Sequence, residues 1–510
     1  MIDILIIGAG GAGLTTALSA KAMGANVLVV SKNYPTNAQT SMAQGGINAT
    51  LSTIDGDSVE KHIADTLKSA QGLADEDMIK ELCKNAPDAI NWLESIGVPF
   101  SRTEDAKIAQ RRLGGASANR ACYSQDYTGL KILHTLYDNC LKEDIEFLNE
   151  HYLINLIEEN RVIKGAILLD INSGEIKEVY AKSVVIATGG YSSIYQKFTT
   201  NAYGSTGDGI FSVFEAGGEL RDMEFIQFHP TALKSSSILI SESARGEGGY
   251  LVNSNNERFI DELLPRDVVA RAIFNEIEDG KDVYLDIRHL GEEKIMELLP
   301  QEVHLCKLHE QIDPIKELIP IKPVAHYSMG GISVDENLSV NGLKGCFAVG
   351  ECSSAKIHGA NRLGGNSLLE LIVFGKKTGL KAFEYSKTIT TINKNDSVLK
   401  NSIKYIDEIY NYSNEINFYH KKDFIGEEFY TKAGIIRDEK SLKKLLKMLE
   451  EIKDNIKFMG IGDKSKIANS NLIDFLEFIR SITLGEIVVK EALKRKISVG
   501  AHYINNGEDI

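Results

Sequence analysis

Three glycines at the end of one apolar run constrain this chain more than any other feature. The run Ile4 to Ile7 passes directly into Gly8-Ala9-Gly10-Gly11-Ala12-Gly13, an Ala- and Leu-rich segment follows, and a second apolar run covers Val27 to Val30. Strand, glycine turn, helix and strand in that order predict a βαβ unit. Glycines at 8, 10 and 13 let backbone N–H groups and the positive end of the helix approach a pyrophosphate closely, which a merely flexible turn does not need. The second run ends in Val30-Ser31-Lys32, where a nicotinamide dinucleotide site usually carries an Asp or Glu for the ribose. That weakens a plain NAD reading, although NAD and FAD both use this turn.

At 510 residues the chain exceeds one core of usual size, so two or three domains are expected, with room to bury a large cofactor. Its 43% hydrophobic and 25% charged residues are those of an ordinary globular protein. No apolar stretch reaches the roughly 18 residues that a membrane span needs. A net charge of -14 argues against non-specific nucleic-acid binding, which requires a basic face. The N-terminus enters a strand at once, without a basic region or cleavage site, and a cytoplasmic location is the expectation. Six cysteines form no C-x-x-C pair, so no iron–sulfur cluster and no metal site is signalled in this chain. A metal centre that feeds it electrons would sit on another subunit.

Helical spacing runs from Ser58 to Ile96, with Asp75-Glu76-Asp77 placing negative charge near a helix start. Strand-like runs return at Val162 to Leu169 and Val184 to Ala187, and again at Cys346 to Gly350. Between them, Glu224 to Val340 mixes strands and helices with a dense group of His, Arg and Glu. The stretch Ser386 to Asn401 turns polar as a linker does, and Leu442 to Ile452 and Leu472 to Lys494 carry apolar residues at helical spacing. The expected fold is α/β: a Rossmann-like FAD-binding domain (1–223 and 341–385), an inserted α+β capping domain (224–340) and a C-terminal helical domain (400–510).

From Ser31 the chain reads S-K-N-Y-P-T-N-A-Q-T-S-M-A-Q-G-G, and further stretches follow in order. They are P-F-S-R-T-E-D from Pro99, R-A-C-Y-S-Q-D from Arg120, T-G-D-G at Thr206, Q-F-H-P-T-A at Gln227 and S-E-S-A-R-G-E-G-G at Ser241. Then come L-P-R-D at Leu264, A-H-Y-S-M-G-G-I at Ala325 and H-G-A-N-R-L-G-G-N-S-L-L-E at His358. In these stretches the chain resembles the flavoprotein subunits of succinate dehydrogenases and fumarate reductases, closely over residues 1–385 and loosely beyond. It is also similar to L-aspartate oxidases. The resemblance implies that Gly8, Ala9, Gly10, Gly11, Ala12 and Gly13 hold the FAD pyrophosphate. It implies that Ser31, Lys32, Thr40, Gln44, Gly45 and Gly46 line the adenosine and flavin, and that Asp208, Glu351, Ser367 and Leu368 complete the pocket. Taken alone, Asp208 reads as a turn aspartate and Ser367 as a helix cap. Gln39 stands where respiratory members carry a histidine bonded to the flavin. Glutamine has no nucleophilic nitrogen, so non-covalent FAD is expected, with a lower potential that favours fumarate reduction.

A dicarboxylate wants cationic and hydrogen-bonding groups at both ends, and arginine's planar fork suits a carboxylate. By resemblance His229 and Ser241 bind one carboxylate, His326 and Arg362 bind the other, and Arg266 donates the proton, fed through Glu242 and Arg245. Clamping and twisting the carboxylates polarises the double bond for hydride and proton addition. Arginine holds its proton tightly, so the acceptor must be a strongly basic carbon, with Arg245 disfavouring a second nearby cation. His62, His151 and His420, outside such motifs, read as ordinary satisfied or solvated side chains.

Two other readings compete. An L-aspartate oxidase needs a counter-charge for the substrate ammonium, and those enzymes resemble R-E-G-G where this chain has Arg112-Leu113-Gly114-Gly115. A flavin-binding protein without catalysis should have lost site residues, yet His229, Ser241, Arg266, His326 and Arg362 are all present. The resemblance also implies an iron–sulfur partner subunit, with membrane contact only through partners. Against docking to an iron–sulfur subunit stand Ser498-Val499-Gly500-Ala501-His502, where the family tends to S-R-G-A-H, and the short stretch after it.

Overall fold

Strand Ile2–Ile7 hands the chain to helix Gly11–Ala22, and strand Val27–Val30 lies parallel to the first, with Ile4 opposite Val27 and Ile7 opposite Val30. The structure is a computed structural model that describes residues 1–51 and 56–505. Ile4 to Ile7 and Val27 to Val30 are all buried, as continuous apolar runs must be when helices cover both faces of a parallel sheet. Strand Ile176–Ile186 joins from far along the chain. From Ala181 onward it runs parallel to the first strand and to Cys346–Ala348, whereas its earlier half pairs antiparallel with Val162–Asp170, itself paired with His151–Glu159. Glu146–Leu148 flanks Val27–Val30. One sheet thus has a parallel half, whose carboxyl ends open a crevice just past Gly8, and an antiparallel half that extends the wall.

Helix Asn366–Ser386 lies close along Gly11–Ala22. A Cβ on Gly375 would fall 2.8 Å from the Thr15 Cβ, and Thr16 Oγ1 donates to the Gly375 carbonyl at 3.1 Å. The helices expected between Ser58 and Ile96 are Val59–Ala70, Glu76–Lys84 and Ala86–Ser95, and Asp75 caps the second by accepting from the Asp77 and Met78 amides. A second sheet, ordered Ile226–Leu233, Ile319–Ser328, Val283–Asp286 and Tyr250–Asn253, is antiparallel throughout. With helix Arg266–Glu278 it encloses a separate core that includes Leu251, Val269, Ile273, Leu285 and Ile319.

Helices Phe418–Lys432, Glu439–Asp454 and Ser470–Lys494 follow. The polar stretch expected as linker is shorter than its composition suggests, because helix Ser397–Tyr410 begins inside it. Its stripe of Ser402, Ile406 and Ile409 is buried, and Asn155 of the antiparallel strands donates to Ser402 Oγ at 3.0 Å. The flanking Asn and Asp residues mask that spacing in the sequence. Residues 506–510 of the expected helical unit lie outside the described residues. Among the described residues no helix is long and apolar enough to cross a membrane.

Candidate active site

An elongated cavity of about 1730 Å³, its open mouth included, begins at the glycine turn and reaches the second sheet. It is lined by Gly8, Ala9, Gly10, Gly11, Ala12, Ser31, Lys32, Thr40, Gln44, Gly45, Gly46, Asp208, Glu351, Ser367 and Leu368, so every expected cofactor residue but Gly13 faces it. Gly13 sits behind the turn, where an added Cβ would meet the Gly8 carbonyl oxygen at 1.9 Å. Its work is to let helix and strand touch. Gly8, at φ +112°, leaves no room either, since a Cβ would stand 2.2 Å from the Ala187 oxygen. Gly10 differs: the nearest atom to its Cβ position is Thr40 Oγ1 at 3.5 Å, so a side chain there would fill the cavity itself.

The wall offers what FAD requires. Thr40 Oγ1 accepts the Gly11 amide at 3.0 Å, and the space before Gly189 holds no atom within 4 Å of a built Cβ. Gln44 Oε1, Thr188 Oγ1 and Arg362 Nε are buried polar atoms on lining residues that find no partner within the described chain. Unpaired buried donors and acceptors are costly, and a phosphate- and hydroxyl-bearing cofactor supplies the missing partners. Gln39 also lines the cavity, and its Oε1 accepts the Ala202 amide at 2.9 Å. Ser367 does not cap its helix, whose N-cap is Gly365; its hydroxyl instead accepts from Arg362 Nη1 at 2.9 Å.

Lys32 and Asp208 belong to a buried four-charge network that the sequence does not disclose. Lys32 Nζ lies 2.8 Å from Asp208 Oδ2 and 2.5 Å from Glu477 Oε1, and Asp208 Oδ1 accepts from Tyr152 at 2.7 Å and Arg480 at 3.3 Å. Burial disfavours both charges, but Asp208 and Glu477 hold the Lys32 ammonium above its ordinary range while Lys32 and Arg480 hold the Asp208 carboxyl below its own. Glu477 and Arg480 come from helix Ser470–Lys494, so the C-terminal helices support the cofactor end. His151, expected to be an ordinary side chain, lines the cavity with Tyr152 and Leu153.

His229, Ser241, Glu242, Arg266, His326 and Arg362 all reach the cavity, whereas Arg245 stands behind Glu242. Glu242 accepts from Arg266 Nε at 3.2 Å and Nη2 at 2.6 Å, and from Arg245 Nη2 at 3.3 Å. Burial alone would raise this carboxyl, yet Arg266 and Arg245 hold it below the usual range. Gln227, quoted in a motif but given no role from sequence, takes Arg266 Nη1 at 3.0 Å and Arg362 Nη2 at 3.1 Å on one amide oxygen. Arg362 lies over the Tyr327 ring, 4.3 Å from its centre, and burial followed by the charge of Arg266 brings its guanidinium down to about 9. Burial, then Arg266, push His229 and His326 well below the ordinary histidine value, so both imidazoles are neutral at pH 7. Their rings are 4.9 Å apart, and His326 Nδ1 pairs with Thr200 Oγ1 at 2.7 Å. Ser241 Oγ accepts from the Ser243 amide at 3.1 Å and from its hydroxyl at 2.7 Å, which occupies both lone pairs and leaves the Ser241 proton to donate.

Residues 3–368 match a family model described as an FAD binding domain, and residues 422–506 match one described as the fumarate reductase flavoprotein C-terminus. The chain is 39% identical to a succinate dehydrogenase flavoprotein subunit of Rickettsia bellii, over 98% of this chain and 89% of that one. It is also 39% identical to the 8-methylmenaquinol:fumarate reductase flavoprotein subunit of Wolinella succinogenes, over 98% and 85% of the two chains. A solved quinol-fumarate reductase with menaquinol molecules superposes at a TM-score of 0.95 and 36% identity, covering 99% of this chain and 92% of that one. The Mycobacterium smegmatis Sdh1 structure follows at 0.87 and 33%, covering 99% and 88%.

Proposed function

Because this chain belongs to the succinate dehydrogenase/fumarate reductase flavoprotein family, an FAD-dependent oxidoreductase family, we propose that it reduces fumarate to succinate and holds its FAD without a covalent bond. The observation that carries this reading is the pair of guanidiniums, Arg266 and Arg362, held 3.0 and 3.1 Å from the single Gln227 oxygen at a cavity that also presents His229, Ser241 and His326. FAD, when bound, supplies the two electrons as hydride.

The chain's own residues do the rest. Arg362 spends one Nη1 and one Nη2 proton on Ser367 and Gln227, and the second proton of each nitrogen remains for a carboxylate. His326 shares that end, while Ser241 and His229 take the second carboxylate. Both imidazoles are neutral and so serve as hydrogen-bonding groups, which leaves the positive charge on the arginines. Arg266 commits three N–H groups to Glu242 and Gln227, so two are free to face the substrate and protonate the carbon that hydride does not reach. Glu242, with Arg245 beyond it, restores that proton. We read the direction from Gln39, which has no nucleophilic nitrogen to bond FAD; a non-covalent FAD would have a lower potential, which would favour fumarate reduction. Leu113 lines the cavity and gives an ammonium no counter-charge, which disfavours L-aspartate as substrate. The relatives are named as subunits, and an iron–sulfur subunit is the partner we assign as electron donor, with any membrane association made through partners.

Anaerobic reoxidation of reduced methyl viologen by the FAD-loaded protein tests the reading. Fumarate should trigger oxidation, and an Arg266→Ala variant should not respond. A fully flavin-loaded wild-type protein that ignores fumarate would sink the proposal.

A further inference from the structure

Arg271 does not line the cavity, yet its contacts converge on the segments that carry both substrate-facing arginines. It lies five residues after Arg266 on helix Arg266–Glu278. Its Nη2 donates to Asp267 Oδ2 and its Nη1 to the Gly500 carbonyl, both at 2.9 Å, and the guanidinium covers the Tyr503 ring at 5.1 Å. Asp267 Oδ1 accepts from Asn361 Nδ2 at 2.9 Å, and Asn361 Oδ1 accepts from Gln227 Nε2 at 2.8 Å. Gln227 is the residue that holds Arg266 and Arg362 together.

The turn Val499 to His502 is fixed on its other side as well. The Ala501 amide donates to the Ala360 carbonyl at 2.9 Å, and the Gly500 amide to Gln71 Oε1 at 2.8 Å. Gly500, at φ +52°, comes so near that an added Cβ would lie 2.4 Å from the Ala360 oxygen. Ala360 precedes Arg362 by two residues and is fully buried in one cluster with Phe225, Tyr327, Met329 and Ala501. A segment about 140 residues away in sequence therefore grips the Arg362 loop directly, and the Arg266 helix through Arg271.

We propose that Arg271 and the turn Val499 to His502 are positioning elements, which set the spacing between Arg266 and Arg362 so that both meet one dicarboxylate. This rests on the reading of the site given above. Arg271 keeps about a fifth of its side chain exposed, with 21% accessible, so its replacement leaves no buried hole. Arg271→Gln breaks the ion pair with Asp267 and loosens the grip on Gly500, while Arg271→Lys keeps the charge but cannot bridge both partners with a planar fork.

The test compares these variants with the FAD-loaded wild type. Arg271→Gln should raise the KM for fumarate and lower kcat by about tenfold each, as small misplacements of clamping groups do, with flavin content unchanged, the thermal midpoint lowered by the loss of the ion pair with buried Asp267, and Arg271→Lys in between. Amides from Ala360 to Asn366 should exchange hydrogen about fivefold faster in Arg271→Gln. Wild-type kinetics and wild-type exchange in that variant would overturn the proposal. A wild-type protein inert to fumarate would instead remove the dicarboxylate reading, and the exchange rates would still decide whether Arg271 positions the loop.

Discussion

Replacing Glu242 by glutamine keeps its shape and removes its charge, and the geometry around it determines what should follow. Oε1 accepts two bonds, from Arg266 Nε at 3.2 Å and Arg245 Nη2 at 3.3 Å, whereas Oε2 accepts one, from Arg266 Nη2 at 2.6 Å. The new amide oxygen is best placed at Oε1, where it retains two of the three. Its NH₂ group then faces Arg266 Nη2, donor against donor, and one charge-assisted bond worth about 1.5–3 kcal/mol is lost. The buried guanidiniums also lose their counter-charge, so the total cost to stability should be about 3–5 kcal/mol. Escape is limited: Gly114 and Gly364 pack so closely that Cβ atoms on them would fall 2.6 and 2.2 Å from the carboxylate oxygens. Arg266 must shift, and without the relay kcat for fumarate should fall by a factor of about 10² to 10⁴. The KM should move only a few-fold, because Arg362, His326, His229 and Ser241 are untouched. Methyl viologen oxidation across a fumarate titration, with flavin content measured alongside, separates the two constants. A kcat within threefold of wild type in fully loaded Glu242→Gln protein would refute the assignment of Glu242 to the proton route.

Three further outcomes are expected. Gly10→Ala should fold with an unchanged cofactor-free melting temperature but bind FAD at least about tenfold more weakly, whereas Gly13→Ala should fail to form the βαβ unit at all; flavin fluorescence titration and thermal melts distinguish them. Acid precipitation should release all the flavin to the supernatant, and a denaturing gel should show no fluorescent protein band, since Gln39 offers no attachment atom. Burial raises the Glu351 carboxyl from 4.5 to about 7, which favours the protonated folded form. The cofactor-free protein should therefore lose stability as pH rises from 4.5 through 7, by about 3 kcal/mol from this group. Melting temperatures at pH 5 and 8 should converge in Glu351→Gln relative to wild type.

That His229, Ser241, Arg266, His326 and Arg362 line one cavity agrees with the grouping implied by the resemblance of their motifs, since a lone histidine or arginine in the sequence carries no such signal by itself. The βαβ unit is legible locally, as strand, turn and helix are contiguous. What sequence reasoning misses is long-range and electrostatic. Glu477 and Arg480 look like two charges on an amphipathic helix, and nothing near them signals that they pair with Lys32 and Asp208. His151 lies outside the matched motifs and so reads as an ordinary histidine, and only the pairing of His151–Glu159 with Val162–Asp170 puts it at the cavity wall. Gln227 is visible but mute, since its two-armed hold on the arginines depends on where Arg266 and Arg362 arrive from. Gly13 shows the converse: its motif identifies the residue and misplaces it by one layer, whereas Arg245 stands beyond Glu242, in the order the resemblance implies.

The network around Lys32 also has a bearing on how the protein is made. Synthesis runs from the N-terminus, so the glycine turn and Lys32 leave the ribosome hundreds of residues before Glu477 and Arg480 exist. Until helix Ser470–Lys494 docks, the ammonium at the end of Val27–Val30 has Asp208, the Thr206 hydroxyl and the Gly204 carbonyl but lacks Glu477, and Asp208 lacks Arg480. Flavin capture is then expected only of the finished polypeptide, and a chain truncated before this helix should keep the whole dinucleotide motif but hold FAD weakly.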